Sequence, residues 1–159
     1  MRVLALDPAT KCGWAIAEDG TLSHSGTWDL STRSDESNGM KLLRLESKLV
    51  EITKSGVIDL VAYETPAQHT YPLALISHAK FIGVIERYCT RHGINYCGYA
   101  PTAIKKSATG KGNAKKEIVA DAIRKRYPDR SIEDDNEADA IALLHLALGD
   151  YAKDKGAPF

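Results

Sequence analysis

Long hydrophobic runs are missing from these 159 residues. No apolar stretch approaches the ~20 residues that a membrane-spanning helix needs. The first residues do not read as a secretory leader, because Arg2 is followed by a short apolar run that ends at Asp7. Cysteine is scarce: Cys12, Cys89 and Cys97 are an odd set without metal-ligand spacing. That excludes a disulfide scaffold and points to reduced thiols of an intracellular protein. A net charge is absent too, with 21 Lys and Arg against 21 Asp and Glu. A uniformly basic, polyanion-coating surface is thereby excluded. Repeats and low-complexity tracts are also lacking, and the length is that of one domain with a proper core.

The distribution of charge says more than its sum. From Pro101 to Arg130 stand nine Lys and Arg (Lys105, Lys106, Lys111, Lys115, Lys116, Arg124, Lys125, Arg126 and Arg130) against Glu117, Asp121 and Asp129. The next nine residues, Ser131 to Asp139, hold five acids and no base. A basic block beside an acidic cluster suits a protein that grips a polyanion and sets metal ions against it. The plainer alternative is a solvated helix face.

Three carboxylates stand at telling places. Asp7 closes the apolar run Val3-Leu4-Ala5-Leu6 and is followed by Pro8 and, after a turn, a second apolar run from Gly13. This reads as a hairpin with an acid at the tip of its first strand. Glu64 closes the run Val57 to Tyr63 in the same way, before Thr65-Pro66. Asp139 lies about one turn into an apolar helix that opens at Asp134-Asp135-Asn136-Glu137, and its i+3 and i+4 neighbours are Ala142 and Leu143. A turn cap or a helix cap would explain each acid singly. Together they are the kind of oxygen donors, borne on separate elements, that hard divalent cations take in phosphoryl-transfer sites.

The elements expected are a three-strand meander (1–6, 13–18 and 22–30, with a turn at Asp19-Gly20), a helix over 40–55 and a strand over 57–64 parallel to the first. A helix over 73–92, a strand over 94–99, a short helix over 101–107, and helices over 114–126 and 136–149 follow. Strands alternating with helices after an antiparallel hairpin give an α/β fold, a five-stranded mixed sheet flanked by helices. Residues 1–150 read as one domain and 151–159 as a C-terminal tail. Trp14 and Trp28 read as core residues of the meander.

Over roughly residues 1–148 the chain resembles the RuvC-type Holliday junction resolvases of the ribonuclease H-like superfamily. The pieces are Ala5-Leu6-Asp7-Pro8-Ala9-Thr10 with Gly13, Glu64, the segment Ile104 to Lys116, and Asn136-Glu137-Ala138-Asp139-Ala140-Ile141-Ala142. The Lys-(x)4-Gly-x-Gly-x-Ala-x-Lys string from Lys105 is the most specific. The resemblance implies a ribonuclease H-like fold and a Mg²⁺-dependent endonuclease with two ions, Mn²⁺ being the other candidate. It implies a homodimer that nicks two opposed strands of a four-way DNA junction, in the cytoplasm of a bacterial or phage-infected cell. Asp7, Glu64 and Asp139 match the family's metal-binding carboxylates, and Lys105 and Lys116 its phosphate-contacting bases. Lys106, Lys111 and Lys115 extend that DNA-binding set.

Two departures stand out. The family's fourth ligand position holds Asn136, with Asp135 beside it, and both are candidates. The wedge aromatic, three residues after the Glu, is replaced by Ala67, with His69 and Tyr71 in the same loop as possible substitutes. A broader flap, fork or branched-DNA nuclease and a catalytically silent junction binder are the competing expectations. An actin-like ATPase needs two copies of the fold, which this length cannot supply.

Overall fold

The computed structural model describes residues 1–67 and 71–155. Five strands form one sheet in the order β3-β2-β1-β4-β5. β1 (Arg2–Asp7), β2 (Lys11–Glu18) and β3 (Thr21–Asp29) are the antiparallel meander, and β4 (Leu60–Glu64) and β5 (Asn95–Tyr99) add parallel to β1. The β2–β3 turn carries Asp19 at φ 49° and Gly20 at φ 80°. Two successive positive φ values are the turn whose twist suits a two-residue hairpin.

Alternation along β1 and β4 sorts their side chains between two cores. Val3, Ala5, Leu60 and Ala62 face the core shared with α3 (Pro101–Thr109), α4 (Lys116–Arg126) and α5 (Asp135–Lys155). Leu4, Leu6, Val61 and Tyr63 face the opposite core, closed by α1 (Met40–Lys54) and α2 (Pro72–His92). Strand parity then assigns Asp7 and Glu64, the next residues in phase, to the α5 side.

Several boundaries differ from expectation, each for a visible reason. β4 begins at Leu60 because Asp59 is occupied with Arg2: its carboxylate accepts the Arg2 N–H at 2.6 Å, and its own N–H donates to the Arg2 carbonyl at 2.9 Å. Val57 stays exposed before it. The apolar pattern of α2 is buried only in its second half, through Phe81, Ile85, Tyr88 and Cys89, whereas Leu73 is 82% and Ile76 51% exposed. Gly93, at φ 66°, stops that helix. The short helix expected over 101–107 runs two residues further, to Thr109, where Gly110 at φ 80° ends it. α4 begins at Lys116 rather than Ala114, and α5 continues to Lys155. Trp14 and Trp28 stack at 5.4 Å on the α1 side of the sheet, partly buried rather than sealed in the core.

Candidate active site

β1 and β4 run parallel in register, Leu6 opposite Tyr63. One residue further, both strands end in a carboxylate on the same face, so Asp7 and Glu64 stand side by side at the carboxyl end of the sheet. The third acid arrives from above. Opposite Asp7 in the ladder is Gly13, and a Cβ there would lie 1.9 Å from the backbone oxygen of Asn136. Only a residue without a side chain lets the first turn of α5 settle so low on β2. That descent brings Asp139, one turn in, into the fields of Asp7 and Glu64.

The electrostatics follow from crowding. Burial pushes the Asp7 carboxyl up to about 6, with Asp139 adding repulsion and Lys116 offsetting part of it. Burial also pushes Glu64 up to about 8, with Asp7 and then Asp139 contributing and Lys105 and Lys116 opposing. Asp139 is raised by burial, against the pull of Lys116. The ammonium of Lys116, first residue of α4, lies 3.3 Å from Asp139 Oδ2. Burial works against its charge, but Asp139, Asp7 and Asp135 outweigh that and raise its pKa.

Three partly buried carboxylates thus crowd together, with Lys116 paired to Asp139 and Lys105 adding positive field at Glu64 and Asp139. The donor set is all oxygen, which fits a hard divalent ion and not a thiophilic one. Among the described residues no three His, Cys, Asp or Glu side chains already close around a common point. The arrangement is open, with Lys116 resting on Asp139.

The other expected residues divide. Lys105 is half-buried on α3, and its charge is felt at Glu64 and Asp139. Lys106, Lys111 and Lys115 are exposed along α3, the following loop and the start of α4. Asp135 Oδ1 is held 3.3 Å from Arg124 Nη2 on α4, whereas no such tie engages the half-buried Asn136 side chain among the described residues. Tyr71, 84% exposed, precedes α2. His69 lies outside the described residues.

Sequence reasoning passes over three residues around this site. The His78 ring Nε2, on α2, is 2.9 Å from the Glu64 carbonyl oxygen; nothing in the sequence signals that pairing. Asp134 and Glu137 do carry a signal, the acid-x-x-Glu spacing of a capping box. Asp134 Oδ1 accepts the Glu137 N–H at 2.9 Å, and Glu137 Oε2 accepts the Glu133 N–H at 2.9 Å. Both acids also reach β3: the Thr27 hydroxyl donates to Asp134 and the Ser25 hydroxyl to Glu137, each at 2.7 Å.

Residues 3–146 match the family described as crossover junction endodeoxyribonuclease RuvC. The chain belongs to the RuvC family. The match takes in β1, β4 and the part of α5 that bears Asp139. Its relatives include the crossover junction endodeoxyribonuclease RuvC of Aliarcobacter butzleri, 31% identical over 91% of this chain and 97% of that one. The RuvC of Ehrlichia chaffeensis is 29% identical over 91% of this chain and 96% of its own length. Among solved structures, Thermus thermophilus RuvC in complex with Holliday junction substrate superposes with a TM-score of 0.78 at 23% identity, covering 98% of this chain and 96% of that one. That likeness speaks for the fold alone. It agrees with the ribonuclease H-like, five-stranded mixed sheet described above.

Proposed function

We propose that this RuvC-family chain, a crossover junction endodeoxyribonuclease by family, resolves four-way DNA junctions through paired, metal-dependent nicks. The observation that carries the residue assignment is the shared field of Asp7, Glu64, Asp139 and Lys116, four side chains from β1, β4, α5 and α4. The family is metal-dependent. In our reading the ions are two Mg²⁺, with Mn²⁺ as substitute, held by Asp7, Glu64, Asp139 and the amide oxygen of Asn136. Asp135 is the lesser candidate for the fourth donor, because Arg124 already engages it. Ions bound there supply a water nucleophile of lowered pKa and stabilise charge on the leaving 3′ oxygen.

The chain's own groups prepare that chemistry. Glu64, raised to about 8, and Asp7, raised to about 6, would hold a dication as carboxylates, so its binding would compete with their protons. Lys116, 3.3 Å from Asp139 Oδ2 and 48% exposed, would be the cation for the scissile or adjacent phosphate. The N–H groups opening α4 face the same charge. Lys105, Lys106, Lys111 and Lys115 extend a phosphate track away from the carboxylates.

Two opposed cuts require two such sites, and each chain holds one, so the working unit is a homodimer. The exposed Leu73 and Ile76 of α2 are the apolar surface offered for that contact. We read residues 1–150 as the nuclease unit and the bacterial or phage-infected cytoplasm as its place of work. Among the described residues no helix is long and apolar enough to cross a membrane.

Ala67 in the position of the wedge aromatic favours a second reading, a nuclease less selective among branched substrates, with Tyr71 or His69 as replacement wedge. The deciding assay uses a labelled four-way junction beside linear duplex, a flap and an RNA–DNA hybrid, in Mg²⁺ or EDTA, with wild type and Asp7→Asn. Paired Mg²⁺-dependent nicks on the junction alone, lost in Asp7→Asn, are expected. Equal cleavage of flaps or hybrids would establish the broader nuclease. Tight junction binding with no cleavage would leave a silent binder.

A further inference from the structure

We infer that Glu137, tied to Ser25 on β3, is a positioning residue that sets how Asp139 is presented to Asp7 and Glu64. The inference rests on the reading of those three carboxylates as the dication-holding set.

Glu137 is 5% exposed and is the one buried charged residue among those described. Its carboxylate has no ion-pair partner among the described residues. It is held instead by the Ser25 hydroxyl at 2.7 Å and the Glu133 N–H at 2.9 Å. Burying a carboxylate costs free energy that an apolar residue would not. Helix capping accounts for only one of its two bonds: Asp134 accepts the Glu137 N–H, and Glu137 Oε2 accepts the Glu133 N–H in return. What the buried carboxylate adds is a tie to a strand 112 residues away in sequence.

Helix geometry gives that tie its consequence. Residues two apart on an α-helix point about 200° apart around the axis. With Glu137 turned to β3, Asp139 is turned the opposite way, where its Oδ2 meets Lys116 and its field reaches Glu64. The Thr27–Asp134 hydrogen bond, also 2.7 Å, reinforces the same rotation from the same strand. Gly13 sets the height of the helix on the sheet; Ser25, Thr27, Asp134 and Glu137 set its rotation. A carboxylate satisfied by the Ser25 hydroxyl of β3 and the Glu133 N–H that precedes α5 is not itself a metal ligand.

The test is Mn²⁺ binding followed by electron paramagnetic resonance, with junction affinity in EDTA and metal-dependent cleavage measured on the same full-length proteins. Glu137→Ala and Ser25→Ala are expected to bind Mn²⁺ about tenfold more weakly, as outer-shell supports do when removed. The metal concentration for half-maximal cleavage shifts by the same factor, excess Mn²⁺ restores most of the rate, and junction affinity is unchanged. Glu137→Gln stays within about twofold of wild type, since its amide oxygen can keep the Glu133 N–H while its amide N–H donates to Ser25. A loss from Glu137→Gln as large as from Glu137→Ala would make Glu137 a ligand and overturn the inference. Wild-type Mn²⁺ binding by folded Ser25→Ala and Glu137→Ala would overturn it as well. Should Glu137→Ala not fold, Ser25→Ala decides. Equal Mn²⁺ binding by wild type and Asp7→Asn would instead sink the underlying site assignment.

Discussion

Replacing Gly13 by Ala probes the close approach on which the site's geometry depends. The added Cβ would lie 1.9 Å from the Asn136 carbonyl oxygen, 2.5 Å from its carbon and 3.3 Å from the Ala140 Cβ. The first two atoms are helix backbone and cannot rotate aside. Relief therefore requires α5 to lift from β2 by about 1 Å. Overpacking of this kind costs about 1–3 kcal/mol, and a rigid backbone opponent argues for the upper end. For a domain of this size each kcal/mol lowers Tm by about 2–4 °C, so a fall of about 5–10 °C is expected. Activity should suffer more than stability, because a displacement of about 1 Å at a reacting centre costs on the order of 100-fold in rate. The assays are thermal unfolding and four-way junction cleavage at a temperature where the variant is fully folded. Gly83→Ala, on α2 with nothing within 4 Å of the new Cβ, is the control and should hold or gain stability. An unchanged Tm for Gly13→Ala would refute the clash. A lowered Tm with full activity per folded molecule would refute the claim that the height of α5 governs the site.

The raised carboxyls make a pH prediction whose sign runs against the usual carboxylate case. Asp7 and Glu64, at about 6 and about 8 when folded, keep protons that the unfolded chain releases at its ordinary lower values. Metal-free stability therefore falls as pH rises from about 4 to about 8. Glu64→Gln should melt higher than wild type at pH 8.5 in EDTA and match it near pH 4; parallel melting curves at both pH values would contradict the burial argument. For the same reason Mn²⁺ affinity should strengthen between pH 6 and 8 as the protons that compete with metal are lost, and a flat pH profile in calorimetric titration would count against it. Asp7→Asn should abolish cleavage while leaving junction binding intact, which a gel-shift beside the cleavage assay reads directly. Lys111→Ala should weaken junction binding and flatten its salt dependence by about one unit for each phosphate left without its lysine; an unaltered slope would make that lysine part of a solvated face.

Much of the fold can be read locally because its cues are local. The apolar run Val3 to Leu6 broken at Asp7-Pro8, and the Asp19-Gly20 turn between the next two runs, specify the antiparallel meander without reference to anything else. Gly93 and Gly110 stop α2 and α3 at left-handed positions that side chains disfavour. The start of β4 escapes a local reading because Asp59 hydrogen-bonds to Arg2, a partner far off in sequence. The exposed half of α2 escapes it because apolar spacing records which residues share a face, and not whether anything covers that face.

The candidate site divides along the same line. Asp7 and Glu64 announce themselves as acids closing buried strands, and strand parity carries them to one face once β1 and β4 are known to be parallel. In the string from Asp134 to Asp139, by contrast, the sequence singles out Asp139 by its apolar neighbours but does not say where the other four polar residues go. Their destinations differ: Asp134 and Glu137 go to β3, Asp135 to Arg124, and Asp139 to Lys116. What separates them is the rotation and height of α5, fixed by Ser25, Thr27 and Gly13, residues more than 100 positions earlier in the chain. The capping-box spacing marks where the helix starts but says nothing of the angle at which it meets the sheet. A small residue on β2 and two hydroxyls on β3 supply that angle. The third carboxylate of the site is therefore specified as much by residues that never touch it as by the acid itself.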